Sequence, residues 1–505
     1  MRHWVYLFQA LPSEISLLFL LSFVLLGTAI VFSLYRKFKT ALIFTFLTSI
    51  FLGISFALIN PFLGLWDEQF HALVAKNMAE NMLHPKLYPA TPLPYAYQDW
   101  TANHTWLHKP PLSLWQMALF IKWFGNELLV VRLPSVILLA LMAFPIFRIG
   151  KLTVNAQVGS WSAIVFCCLH YPLELVAGVH TADHIDIAFM AYITFSIWAF
   201  IEYQSSRKMS WLLLIGIFAG AAVLTKWLVG LLVFSGYGFI LLFDASWRSS
   251  RIAWLRFLMT IGITLLLFLP WQFYTWKHYP AEFLFESGYS AKHFTEVIEG
   301  HKGNTWFYWK NLHLLYGNGI IIKLIVLMAW LSFSWLAKKK QMALSIQVLT
   351  IVPYLFFSMA ATKMNSFLVI VAPIIIIQVT TLIHFVSSAV LNQLKTPIPL
   401  IRFAPLLFLI CLAILRPREI YHNHWFTSDE TKKVRSEWIQ THQFIRQQSF
   451  PPNQKIVVHD ANQILKIHVP WMFYHDNLIA YRQKLSKEEI RHLQEQNYRV
   501  FRWVK

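Results

Sequence analysis

The chain has 505 residues, of which 57% are hydrophobic and only 13% charged, with a formal net charge of +19. A soluble domain carries about a quarter charged residues, so a water-soluble globule is excluded. The basic residues lie in short gaps between apolar blocks and form no continuous stripe, which argues against a nucleic-acid partner.

In chain order, roughly twelve membrane spans are expected from apolar length and from breaks at charge or Pro clusters: 14–34, 41–60, 128–149, 157–174, 183–203, 210–226, 227–243, 253–270, 316–336, 343–361, 366–387 and 400–416. The first apolar run lacks a small-residue cleavage site and reads as a retained span. Arg36, Lys37 and Lys39 occupy one gap; Arg148 and Lys151 the next; Arg207 and Lys208, then Arg248, Arg251 and Arg256, then Lys338, Lys339 and Lys340 follow. Each lies two spans beyond the last, as successive cytoplasmic loops do under the positive-inside rule. The alternate loops, longer and richer in acids and histidines, then face outward. Cys167, Cys168 and Cys411 lie in apolar stretches, so neither a disulfide framework nor a Cys-based metal site is expected.

Two outer loops are long, 61–127 and 271–315. The first reads as a helix over 68–82, a Pro- and aromatic-rich stretch over 85–111, and an interfacial helix over 111–124 that holds Trp115 and Trp123 at headgroup depth. The second is dense in Trp, Tyr, His and Glu. The transmembrane module ends near 415, and residues 416–505 turn polar. They read as a small α/β domain on the outer face, with a strand over 455–459, a helix over 487–496 behind the N-cap Ser486, and a strand over 498–504. At about 90 residues it is near the lower limit for a domain with its own core.

Five clusters carry chemistry. Asp67 and Glu68 open the first outer helix; they serve either as caps on its dipole or as functional carboxylates, one of them a general base. His108 and Lys109 precede two prolines that fix the backbone, so Lys109 either snorkels to lipid or binds a phosphorylated lipid. Lys226 stands at the outer end of a long apolar run, where a lysine needs a partner, a wet cavity or a route to the interface. His180 and His184 are four apart, which is metal-ligand spacing, but capping is the better reading because no third ligand is in view. Asp183 and Asp186, three apart, share a helix face. Lys363 occupies an outer turn, where positive charge is scarce. Carboxylates and amines gathered at one membrane face suit transfer from a lipid phosphate: a base takes the acceptor proton and cations stabilise the leaving phosphate. No glycine-rich nucleotide loop is present, which favours a membrane-borne donor.

These motifs, in this order, resemble the GT-C glycosyltransferases of the dolichyl-phosphate-mannose protein mannosyltransferase and lipid A aminoarabinose transferase type. The resemblance rests on Asp67-Glu68, Lys109-Pro110-Pro111-Leu112, Arg132-Leu133-Pro134-Ser135, Ile185-Asp186, Leu224-Thr225-Lys226, Pro270-Trp271, the aromatic stretch 306–309, Lys363 and Pro373. It implies an inverting enzyme of the bacterial inner membrane, working on its periplasmic or extracellular side with a polyprenyl-phosphate sugar and a lipid, glycan or protein acceptor. By the same resemblance Asp67, Glu68 and Asp186 are the catalytic acids, and Lys109, Arg132, Lys226, Lys363 and His108 bind phosphate or substrate. Departures surround the substrate cavity. His108 replaces a Glu, Phe70 and His71 replace Arg-Tyr, Trp227-Leu228 replace Gly-Pro, and Phe367 replaces a Tyr. They leave the sugar and acceptor open. The aminoarabinose branch can hold a divalent metal near the replaced Glu, which would put His108 with His278, His293 or His301. A transporter or flippase of lipid-linked glycans is the rival; it predicts inverted repeats and broken mid-membrane helices, and neither is visible in the sequence.

Overall fold

The computed structural model describes residues 2–180, 183–393, 400–425, 429–451, 454–460, 468–476 and 478–503. Among these, eight helices are long and apolar enough to cross a membrane: Ser13–Leu34, Phe38–Ile59, Leu128–Thr153, His184–Ser206, Met209–Lys226, Arg251–His278, Lys340–Met359 and Asn365–Asn392. The other four expected spans fall on shorter apolar helices, Ala156–Cys167, Leu228–Phe243, Ile320–Leu336 and Ala404–Ile414. His184–Ser206 is the hub, with 83% of its apolar window buried by other helices. Arg251–His278 is peripheral at 22%, and Leu255, Leu258 and Leu266 on it are exposed, as lipid-facing residues are. Gly216 and Gly220 let Met209–Lys226 approach Arg251–His278: a Cβ at either would come within 2.9 Å of Ile263 or Leu267. This is the small-xxx-small contact of membrane helices.

The basic turns gather on one face. Lys339 N donates to Thr153 O at 3.1 Å. Gln341 Nε2 donates to Asp244 Oδ2 at 2.7 Å, and Arg207 lies 3.8 Å over the Trp247 ring. The opposite ends of the helices carry the two long segments and the C-terminal region.

Two expectations shift. Arg251–His278 runs straight through Pro270, so Trp271 extends a helix and does not open the loop; the next helix is Pro280–Thr295. A proline removes one backbone bond, and membrane helices tolerate that. Trp115 lies on the expected helix, Leu112–Phe124, but its indole donates to Met82 O at 2.6 Å and its ring meets Trp271 edge-on. These protein contacts fix the orientation of its ring.

The C-terminal region forms a three-stranded parallel sheet in the order β2-β1-β3, from β1 Ile456–Asp460, β2 Leu478–Tyr481 and β3 Arg499–Trp503. Ser486 and Glu489 form a reciprocal capping box at Lys487–Glu495. The strand β2 and the helices Asp429–Gln447 and His468–Tyr474 have no counterpart in the sequence reading. The apolar side chains of this sheet pack in the same cluster as Leu63, Phe70, Trp106, Leu114 and Val131 of the first outer segment and its flank. Sharing that core lets a region of this size bury enough surface. Lys76 clasps the two parts, donating to Met472 O, Phe473 O and His475 O at 2.9–3.1 Å where the helix His468–Tyr474 ends.

Candidate active site

A cavity of about 660 Å³ opens at the end of the helix bundle away from the basic turns. Asp67, Lys109, Asp186, Lys226 and His108 all line it. Asp67 is the first residue of the helix Asp67–Glu80, and Asp186 lies in the first turn of His184–Ser206. Lys226 ends Met209–Lys226, where its backbone leaves helical geometry and a short 3-10 turn follows. Two carboxylate–ammonium pairs result. Lys109 Nζ lies 3.9 Å from Asp67 Oδ2, and Lys226 Nζ donates to Asp186 Oδ1 at 2.5 Å. Lys226 also sits 5.3 Å from the centre of the Phe367 ring, a cation–π contact. Burial raises the Asp67 carboxyl above its ordinary range, and the Lys109 ammonium opposes that shift.

Glu68, Arg132 and Lys363 do not line this cavity. Glu68 and Arg132 are 2% and 0% exposed. Arg132 Nε and Nη2 donate to the Glu68 carboxylate at 2.6 and 2.9 Å, while Nη1 donates to Ala57 O and Asn60 O and Nη2 also to Phe62 O. Gly64 N and His184 Nε2 meet the same carboxylate at 2.5 and 2.9 Å. Gly178, at φ +66°, presses so close that a Cβ there would overlap Glu68. Burial alone would raise the Glu68 carboxyl, but Arg132 and His184 hold it well below the usual carboxylate range. Glu68 and Arg132, expected as a catalytic acid and a phosphate-binding cation, thus answer each other's charge away from the cavity wall. Together they tie the end of Phe38–Ile59 to the start of Asp67–Glu80, which orients Asp67. Lys363 is buried, and its ammonium donates to Phe357 O, Ser358 O and Ala360 O. It closes the carbonyl end of Lys340–Met359.

The histidines separate in the same way. His184 joins Ser135 and Glu68, while His180 stacks on Tyr171. Asp183 accepts from Ile185 N as the helix cap and meets His71 Nδ1 at 2.7 Å; both side chains are 1% exposed. His108 lies flat on Trp100, with ring centres 4.7 Å apart, and its Nδ1 is 3.1 Å from Glu286 Oε2. Burial pushes the His108 imidazole well below its ordinary pKa and the Glu286 carboxyl up to about 7. Burial thus shifts each group toward its neutral form. His293 and His301 also line the cavity, but His278 does not; its Nδ1 faces Tyr274 O at 2.9 Å. Among the described residues no group of three His, Cys, Asp or Glu is arranged to hold a metal ion. The residues do not fit the metal that the resemblance allows, and the chemistry below uses none.

The sequence reading did not single out Asp99, Trp100, Thr101, Glu299 or Arg482 on this cavity wall. They come from the two outer segments and the C-terminal domain. Their only signal in the sequence was the aromatic and charged density of those segments.

Residues 108–274 match the profile of the dolichyl-phosphate-mannose-protein mannosyltransferase family. No curated protein sequence matches the chain. Among solved structures, ArnT from Cupriavidus metallidurans bound to undecaprenyl phosphate superposes with a TM-score of 0.61 at 14% identity, over 91% of this chain and 89% of that one. Its apo state gives 0.57 at 15%, over 92% and 88%. The archaeal oligosaccharyltransferase AglB from Archaeoglobus fulgidus, in complex with an inhibitory peptide and a dolichol-phosphate, gives 0.53 at 12%, over 88% and 64%. The chain has the GT-C glycosyltransferase fold, a helical membrane module with small C-terminal strands.

Proposed function

We propose that this GT-C protein is an inverting glycosyltransferase, moving a sugar from a polyprenyl-phosphate donor to a lipid, glycan or protein acceptor at the outer face of a bacterial inner membrane. The observation that carries the reading is the meeting of Asp67, Lys109, Asp186 and Lys226, from four separate segments, in one cavity at a single end of the bundle. The undecaprenyl phosphate of the ArnT structure and the dolichol-phosphate of the AglB structure support a lipid-phosphate donor. The clustering of the basic turns at the opposite end supports an outward cavity.

In this mechanism an acceptor hydroxyl attacks the anomeric carbon from the side opposite the phosphate. A new C–O bond forms as the bond to the phosphate oxygen breaks, and polyprenyl phosphate departs with the electron pair. Asp67 takes the hydroxyl proton. Lys109 and Lys226 balance the charge that grows on the leaving phosphate. Asp186 is a positioning residue, since it holds the Lys226 ammonium at 2.5 Å.

The test is retention of undecaprenyl phosphate by the purified full chain, read by native mass spectrometry, with wild type set against Lys226→Met. Retention by wild type and loss in the variant is the expected result. Equal retention would remove Lys226 from the phosphate site, and no retention by either would sink the donor assignment.

A further inference from the structure

Beside the donor cavity lies a second hollow of about 540 Å³, between the first outer segment and the C-terminal domain. In its wall the half-buried Tyr481 packs on the buried Tyr88, ring centres 5.6 Å apart and 23° from parallel, and Tyr95 is exposed nearby. Asp99, Thr101 and Arg482 belong to the walls of both hollows, so the two adjoin there. Thr101 N and Oγ1 donate to Asp99 Oδ1 at 2.9 and 2.7 Å, which fixes that carboxylate at the junction.

We propose that this groove binds a saccharide chain as the acceptor and presents its terminal hydroxyl to the donor cavity. The proposal rests on the glycosyltransferase reading above and narrows its acceptor from three classes to one. A sugar ring offers an apolar C–H face and a rim of hydroxyls, each both donor and acceptor. Tyrosine rings match the face, and their hydroxyls reach the rim. Around them Asp99 only accepts, Arg482 only donates, and Gln483 does both, so hydroxyls find partners of either kind. An acyl chain would desolvate the Arg482 guanidinium and the Asp99 carboxylate and offer neither a hydroxyl in place of water. An extended peptide would add along a strand edge, but β2 reaches the groove only through its last residue, Tyr481.

The experiment uses the full chain in detergent and saturation-transfer NMR titrations. One probe is the oligosaccharide pool released by mild acid from envelope glycolipids of the source cell; the second is a tryptic peptide pool from its envelope proteins. Tyr95 and Gln483 are exposed, so Tyr95→Ala/Gln483→Ala removes wall groups without opening the core. The saccharide pool should bind wild type, and its half-saturation should rise at least roughly tenfold in the double variant. Arg482→Ala is a second variant expected to weaken it. The proposal is overturned if the saccharides do not bind, if they bind all three proteins alike, or if only the peptides respond to the substitutions. Undecaprenyl phosphate retention on the same samples reads the first cavity separately, so failure of the donor reading and failure of the groove give different patterns.

Discussion

Asp67 and Glu68 are joined by one peptide bond and meet opposite surroundings. Glu68 faces inward, where Arg132 clamps it at 2.6 Å and His184 and Gly64 complete its hydrogen bonds. Asp67 faces the cavity, where its cation, Lys109, stays 3.9 Å away. Successive helical residues point about 100° apart, so a helix end between a core and a hollow separates two identical-looking acids. A charge fully answered by protein holds the fold, and a charge partly answered keeps capacity for substrate.

Four perturbations break or sharpen that contrast. The largest effect is expected from Asp67→Asn, which should lower turnover with a polyprenyl-phosphate sugar by about 10²–10⁴-fold while the thermal unfolding midpoint stays unchanged. Turnover near wild type would take Asp67 out of the chemistry. Arg132→Met acts on the sealed side. It leaves the Glu68 charge buried without its guanidinium, at a cost of about 3–5 kcal/mol, and adding Glu68→Leu should recover much of that in a denaturation series. An exposed pair would show almost no loss in either case.

Next, Lys109→Met should weaken undecaprenyl phosphate retention by about 10- to 100-fold, the value of one charge-assisted hydrogen bond, with little change in unfolding. The smallest effect is a separation on the pH axis. Asp67 works as its carboxylate and burial raises its pKa, so turnover should fall as pH drops through a midpoint above 3.8. Glu68 is depressed in the folded state. Its stabilisation is present above the ordinary carboxylate pKa and is lost as pH falls through the depressed value. Turnover should therefore disappear reversibly at a pH where unfolding, followed by tryptophan fluorescence, has not begun. Coincident loss would mean that one group controls both.

The legible part of the site was its inventory. Asp67, Lys109 and Lys226 stand next to Trp66, Pro110 and Thr225, Asp186 heads an apolar run, and their order along the chain pointed to one cluster. Roles were harder to read, because role depends on which neighbour answers each charge. Arg132 and Lys109 look equally available in the sequence. One is enclosed by carbonyls of residues 57–62 and the other opens on the cavity. Lys363 looked like a phosphate-binding turn residue until its ammonium was found on the last carbonyls of a helix. The C-terminal helix behind Ser486 was readable from its capping box, which is local. The strand β2 was not, since its four residues become a strand only through pairing with β1.

Apolar length and the spacing of basic gaps were sufficient for the membrane class, the approximate spans and the grouping of acids with amines at one end, because insertion into a bilayer responds to local composition. Packing alone settled which acid is sealed and which is open, that the C-terminal sheet shares its core with the first outer segment, and that Arg482 reaches the same cavity as Asp67. Those are contacts between residues far apart in the chain, 64 positions for Glu68 and Arg132 and 396 for Lys76 and Met472, and only the folded chain brings such groups within the few ångströms over which charge and shape are felt.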